Sequence, residues 1–339
     1  MNRHPSLSRR HLLAGSAALT TCGFGRVGFA QDAMPATMAY GSTGYTWALA
    51  FLAEGIDAWA EEGVALQALD FPTGRESMQA LLGGSADFAT STDTPVVFAA
   101  LQGLKPYIVA SYSRYTRDMM IVMRQGSESI ADDPTSLQGK TLATRVGTSG
   151  QYMLSRYLSM AGLTDADVTV VDLAPADMMS ATLRGDVDGF AWTSQAAALA
   201  LESAPDQLFT MTQEGLEDWF QSHQLLLTNE AVLNTRPELV TRGIRALLTA
   251  EDYMLANPEW AAVIASRVRA EPDFIDEMTS VFDFHVRFDE RFVEDVVKQM
   301  EWAVQAGLGA QPDRPFEDIV RELIRPEALA EVAPERVML

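Results

Sequence analysis

The sequence predicts an α/β protein of two lobes, each a mainly parallel sheet flanked by helices, followed by a helical C-terminal tail. Three observations carry this reading. Strand-length apolar runs alternate with helix-length amphipathic stretches, the pattern that builds parallel sheets through right-handed crossovers. The turn Gly41-Ser42-Thr43-Gly44 between a strand and a helix recurs about 106 positions on as Gly147-Thr148-Ser149-Gly150. The length of 339 residues, at about 150 per domain, has room for two such lobes.

The first lobe opens with a strand from Ala36 to Tyr40, the Gly41 turn, and a helix from Tyr45 to Glu62 ended by Gly63. Val64 to Asp70 reads as the second strand, Phe71-Pro72-Thr73-Gly74 as a loop, and Arg75 to Leu82 as a helix stopped by Gly83-Gly84. A third strand, Ala86 to Thr90, runs into Ser91-Thr92-Asp93-Thr94, with Pro95 at a helix start. The second lobe repeats the plan with strand Thr141 to Val146, helix Gln151 to Ala161, strand Val168 to Asp172, loop Leu173-Ala174-Pro175 and helix Ala176 to Leu183. Its third strand ends at Trp192-Thr193-Ser194. A strand returns at Leu225 to Thr228, and the remainder is helical, with helices from Arg236 to Ala256, Glu259 to Arg269 and Phe288 to Ala306. A tail folding back on the first lobe divides the chain into an export signal (1–30), lobe 1 (31–118 with 222–339) and lobe 2 (119–221).

With 25 Lys plus Arg against 46 Asp plus Glu, the net charge is −21, which argues against nucleic acid or an anionic membrane surface as partner. Ser8-Arg9-Arg10-His11-Leu12-Leu13, a short apolar run to Leu19 and Gly28-Phe29-Ala30 resemble a bacterial twin-arginine signal with its cleavage site. Cys22, the one cysteine, lies inside it in a poor lipobox because Thr21 is bulky. Cutting after Ala30 leaves 21 basic residues against 46 acids, a charge of −25, and no cysteine for a disulfide, nucleophile or metal.

The ordered set Glu61-Glu62-Gly63-Val64, Gln79-Ala80-Leu81 through Asp87-Phe88-Ala89, Leu137-Gln138-Gly139-Lys140-Thr141, Gly147 to Gly150, Ala161-Gly162-Leu163 and Gly185 to Phe190 with Trp192 resembles one family. These are the periplasmic solute-binding proteins of ABC importers for nitrate, sulfonates and taurine, with the thiamine-precursor (NMT1/THI5-like) binders. The resemblance implies a type II periplasmic binding protein fold, closing by a hinge on a small anion or zwitterion that is handed to an inner-membrane ABC permease. A monomer is expected. A sensor on the same scaffold is one alternative. A pyrimidine-precursor synthase is another; such enzymes carry a Cys-rich motif and iron-binding histidines, and a cysteine-free mature chain departs from that.

In open parallel sheets ligands bind beyond the carboxyl ends of the strands, so six Gly-, Ser- and Thr-rich loops are expected to converge on one cleft. Their helix starts offer free N–H groups to an anion. Ser42, Thr43, Gly44, Tyr45, Gly74, Thr92, Thr148, Ser149, Gly150 and Gln151 are candidates there, with capped tight turns as the plainer alternative. Arg75, in the first turn of a helix, opposes the dipole unless a negative group is near; Glu76 is one candidate and a bound anion the other. Trp192 is the leading aromatic, beside Tyr45, Trp47, Phe71, Tyr112, Tyr115 and Tyr152. Arg114 and Arg117 stand at the first lobe crossing, either as anion anchors or paired with Asp118. His223 stands at the second crossing, and Asp93 or Asp177 could meet an amine. Gly139-Lys140-Thr141 fails as a P-loop because it precedes a strand, and the Gly41 turn lacks dinucleotide spacing. Neither catalytic residues, nor a metal site, nor a cofactor is expected.

Overall fold

The computed structural model describes residues 33–41 and 44–339; the export signal, Ser42 and Thr43 lie outside the described residues. Among the described residues the strands fall into two separate sheets plus one small pair. β1 (Met34–Gly41), β2 (Val64–Phe71), β3 (Phe88–Thr92), β4 (Tyr107–Tyr115), β10 (Ser222–Thr228) and β11 (Phe282–Asp283) form the first, in the order β11-β4-β10-β3-β1-β2. β5 (Met119–Arg124), β6 (Thr141–Thr144), β7 (Thr169–Asp172), β8 (Gly189–Thr193) and β9 (Leu208–Thr210) form the second, in the order β7-β6-β8-β5-β9. β12 (Phe288–Asp289) pairs with β13 (Val337–Met338).

Each sheet has a parallel trio made by strand–helix–strand units: β2, β1 and β3 in the first, β7, β6 and β8 in the second. Beside each trio lies an antiparallel strand that has arrived from the other lobe. β5 pairs antiparallel with β8 directly after the chain leaves β4, and β10 pairs antiparallel with β3 after the chain returns. The chain therefore crosses twice, through Thr116-Arg117-Asp118 and just before Ser222. Central β10 is buried throughout: Leu225, Leu226 and Leu227 are 0% exposed in the core, while Ser222-His223-Gln224 occupy its cleft end.

The local rules account for the element ends. Thr73, Asn229 and Asp289 cap the helices they precede, accepting from the N–H of Arg75, Val232 and Phe292. Several expected boundaries moved, among them the helix read from Phe288, which starts at Glu290 after a short strand (Phe288–Asp289), and four others have a plain cause or consequence. The helix read from Tyr45 to Glu62 is a 3-10 turn (Tyr45–Trp47) and two helices (Ala48–Gly55, Ala58–Glu61), broken where Asp57 is left-handed at φ 59°. The helix read from Arg236 starts at Pro237, since a residue before proline is driven out of helical geometry and Arg236 has φ −141°. β6 stops at Thr144, two residues short of the expected end, which frees Arg145 and Val146 to turn toward the other lobe. β10 begins at Ser222, three residues before the apolar run that announced it. Among the described residues no helix is long and apolar enough to cross a membrane.

Candidate functional site

The carboxyl ends of both parallel trios meet around a cavity of about 30 Å³. It is lined by Thr46 and Trp47 after β1, Thr73, Gly74 and Arg75 after β2, Thr92 and Pro95 at β3, Met119 at the crossing, Thr148, Ser149 and Gly150 after β6, and Trp192 and Thr193 at β8. Five of the six expected loops contribute. The sixth, after β7, does not; the end of that strand is spent instead on Arg145, whose Nη1 lies 3.1 Å from Asp172 Oδ1. A wider groove of about 580 Å³ runs between helix Ser194–Ser203 and helices Trp260–Val268 and Pro272–Thr279, with Leu199 and Phe274 on its walls. It lacks the convergence of polar loops, so we place the site in the smaller cavity.

Four helices aim their N-termini at this cavity: Gly74–Leu82, Asp93–Leu101, Ser149–Met160 and Ser194–Ser203. Their first N–H groups have no acceptor inside the helix, and their dipoles make the space positive. Close approach requires glycine at three places. A Cβ on Gly41 would lie 2.7 Å from Gly74 N, one on Gly74 3.0 Å from Ser91 Cα, and one on Gly150 2.8 Å from Thr144 Oγ1 and 3.0 Å from Trp192 Cε3. Trp47, 4% exposed, leaves its Nε1–H without a protein acceptor.

Arg75 reaches across the cleft, where Nη1 donates to Val146 O at 2.5 Å, and among the described residues no carboxylate pairs with it. Glu76 is not its neutralising partner. Burial raises the Glu76 carboxyl, but hydrogen bonds from Thr73 and Arg145 outweigh this and hold it below its usual range. Arg145, from the other lobe, sits with Nη2 2.5 Å and Nε 3.1 Å from Glu76 Oε1. The pairing of Arg145 was not read from the sequence.

Of the residues singled out in the sequence, Gly74, Arg75, Thr92, Thr148, Ser149, Gly150, Trp192 and Trp47 line the cavity. Ser149 also ties the lobes together, donating from Oγ to Thr92 Oγ1 at 2.8 Å and lying 3.1 Å from Ser222 Oγ. Gln151 stands just behind, its Oε1 accepting from Gly147 N at 2.8 Å. Gly44 is left-handed at φ 78° before the 3-10 turn. Tyr45 is turned away: its hydroxyl meets Ser194 Oγ, and its ring packs edge-on against Phe274 and Phe282.

Other candidates are occupied elsewhere. Asp93 is 0% exposed, takes hydrogen bonds from Ser222 Oγ (2.7 Å), His223 N (3.0 Å) and Gln299 Nε2 (2.7 Å), and its carboxyl is raised by burial against the pull of those groups. His223 Nε2 lies 3.1 Å from Asp295 Oδ2 and its ring meets Phe292, so it is a satisfied buried group. Arg114 pairs with Asp283 and Arg117 with Glu217, not with Asp118. Tyr115 and Tyr152 pack against Phe220, and Asp177 is exposed at the start of helix Pro175–Arg184. Tyr112 is buried in β4 and is not among the lining residues.

Asp118 itself was missed as an element of the site. Thr46 Oγ1 donates to its Oδ2 at 2.8 Å and Ser194 Oγ to its Oδ1 at 2.7 Å, so one buried carboxylate joins loops of both lobes. Burial pushes it up to about 7, against the opposing hydrogen bonds of Ser194 and Thr46. The hydroxyl residues that hold it are ordinary in sequence; only the crossing brings them together.

The NMT1/THI5-like family model matches residues 49–261. The chain belongs to that family. A Brucella abortus protein named only as a binding protein is 27% identical over 262 residues, 77% of this chain and 79% of that one. The taurine-binding periplasmic protein of Escherichia coli is 24% identical over 255 residues, 74% of each. The alkanesulfonate-binding protein SsuA of Xanthomonas axonopodis pv. citri, solved with MOPS, superposes with a TM-score of 0.72 at 18% identity, over 86% of this chain and 98% of that one. That likeness establishes the two-lobe periplasmic binding protein fold, with its C-terminal helices.

Proposed function

We propose that this NMT1/THI5-like protein binds a small organic anion of the sulfonate type between its lobes and delivers it, unchanged, to an inner-membrane ABC permease. One observation carries the reading. In a chain with 46 acidic residues, the cavity lining holds one guanidinium, Arg75, and no carboxylate. A half-buried cation that no described carboxylate pairs, set beside four helix N-termini, is unfavourable without an anion, and the names of the taurine- and alkanesulfonate-binding relatives support that class.

A volume of about 30 Å³ is the share of one liquid water, so a solute enters only when the lobes part. The motion proposed is rotation of 119–221 against the rest about the two crossings, with Arg75 and the Ser149 and Gly150 amides closing on the anion while Trp47 and Trp192 exclude water. A taurine-like zwitterion is the second reading, favoured by Asp118, a buried carboxylate whose hydrogen-bond partners are hydroxyls and the Ser194 amide rather than cations. The protein works as a monomer in the periplasm, exported through Arg9-Arg10 and cut after Ala30.

The test is native mass spectrometry of freshly purified periplasmic protein for a co-purified solute, followed by calorimetric titration with ethanesulfonate, taurine and acetate. Saturable one-to-one binding of an anion, recovered unchanged, is expected. Failure of every anion to bind, or recovery of a converted product, sinks the reading.

A further inference from the structure

Among the described residues the first sheet holds five buried side chains with unpartnered polar atoms, and three of them, Gln224, Ser113 and Tyr112, occupy neighbouring positions of β10 and β4. Gln224 is 0% exposed, and neither Nε2 nor Oε1 has a protein partner; Ser113 Oγ (2% exposed) and Tyr112 OH (0% exposed) have none either. Buried polar groups are almost always hydrogen-bonded, so four unpartnered atoms on adjacent positions of β10 and β4 require an explanation.

Their placement ties them to the cavity. Gln224 stands opposite Thr92 on β3 and opposite Ser113 on β4, and directly opposed residues project from the same face. Thr92 lines the cavity. The register then passes from Gln224↔Ser113 to Leu225↔Ser111, which makes Tyr112 the extra residue of a β-bulge. Bulges bend a strand and re-aim a side chain, and they gather beside functional sites. Burial keeps the Tyr112 hydroxyl protonated, able to donate as well as accept. β10 changes character here, from the apolar Leu225–Leu227 to Ser222-His223-Gln224. Asp93 accounts for Ser222 and Asp295 for His223, but none of the described residues accounts for Gln224.

We propose that Gln224, Ser113 and Tyr112 form the inner end of the solute site and read a neutral group that both donates and accepts hydrogen bonds, a hydroxyl or carboxamide, on the far end of the anion held by Arg75. This rests on the anion reading above and narrows it. All three side chains are uncharged, so they select for hydrogen-bonding shape rather than charge. A site built to bond a polar group rejects the analogue that lacks it, because the site's own groups are then left unpaired.

The experiment is titration of wild type, Gln224→Leu and Tyr112→Phe with alkanesulfonates of two to four carbons and with their ω-hydroxy counterparts, beside thermal melts of each solute-free protein. Wild type is expected to favour the hydroxylated member about tenfold or more at one chain length. In Gln224→Leu that preference should fall to about twofold or less, with a melting temperature equal to or above wild type, since an unsatisfied amide has been replaced by an apolar group of similar size. Tyr112→Phe should reduce the preference at the same chain length. Sulfonates that bind with no hydroxyl preference at any length, or a preference unchanged in Gln224→Leu, overturn the inference while leaving the anion reading intact. A lowered melting temperature with unchanged preference identifies a structural water as the occupant and also overturns it. If wild type binds neither series, the anion reading fails and takes this one with it.

Discussion

In the first sheet, the loop after β2 brings a guanidinium to the cavity and the loop after β1 brings an indole, Trp47. In the second, the loop after β6 brings hydroxyls and helix-start amides, β8 brings Trp192, and no charge arrives at all. The backbone plan is shared at the last glycine of the paired turns: Gly44 and Gly150 each sit where a Cβ would lie within 3.0 Å of a neighbour. Charge is where the halves part company. Arg75 faces the cavity because its neighbour Glu76 is engaged by Arg145 from the opposite lobe. A repeated scaffold therefore sets where loops converge, while the chemistry of each loop depends on partners that only the closed arrangement supplies.

Replacing Arg75 by Gln should break that asymmetry with the largest effect. Loss of a charged hydrogen bond to an anion is worth about 2–3 kcal/mol, or roughly 30- to 150-fold in affinity. Gly150→Ala, acting on the uncharged side, must push aside Thr144 Oγ1 at 2.8 Å and the Trp192 ring at 3.0 Å, and should weaken binding by about tenfold. Calorimetric titration of both variants with one alkanesulfonate gives the comparison. Unchanged affinity in Arg75→Gln would place the anion on the second lobe alone.

Much of this was legible before the structure. The parallel trios, the paired turns and the helical tail follow from periodicity and glycine punctuation, which are local signals. Gly74, Arg75, Thr92, Ser149, Gly150 and Trp192, all candidates in the sequence, line the cavity because the loops at the strand ends converge on it. Arg145 was not, since its importance comes from β6 stopping at Thr144 and from Glu76 standing 69 positions away. Asp118 enters the sequence reading only as one possible partner of Arg114 and Arg117, for the same reason: its partners, Thr46 and Ser194, lie on different lobes. His223 and Asp93 looked available because the strand holding Ser222-His223-Gln224 was read three residues short. Long-range pairing, not local propensity, decides each of these cases.

Asp118 sharpens the comparison from the crossing between the halves. Its carboxyl is raised by burial to about 7, above the ordinary 3.8, so the folded protein holds a proton there that the unfolded chain releases. Stability from this group is fully present below about pH 4 and is lost as pH rises through about 7. Asp118→Asn removes the titration while keeping an oxygen acceptor. The stability of wild type minus that of Asp118→Asn should fall by about 1–2 kcal/mol between pH 5 and pH 7, read from urea melts at each pH. A difference flat with pH would show that the carboxylate is solvated when the lobes move.

The smallest effect is expected at the ion pair that spans the cleft mouth. Side chains of Arg145 and Glu76 are 25% and 20% exposed, so the contact is screened and its coupling is about 0.3–1 kcal/mol, a factor of about two to five in affinity. A double-mutant cycle of Glu76→Gln and Arg145→Gln, read as the dissociation constant of one alkanesulfonate, isolates that coupling. Because the two residues belong to different lobes, the coupling should act through closure. It should appear in the solute affinity and shrink in about 1 M salt, where the Debye length is about 3 Å. Asp172 stays bound to Arg145 in the Glu76→Gln variant, so that single change tests the cross-cleft half of the contact without freeing the guanidinium. Strict additivity of the two changes at low salt would mean that the pair forms without biasing closure.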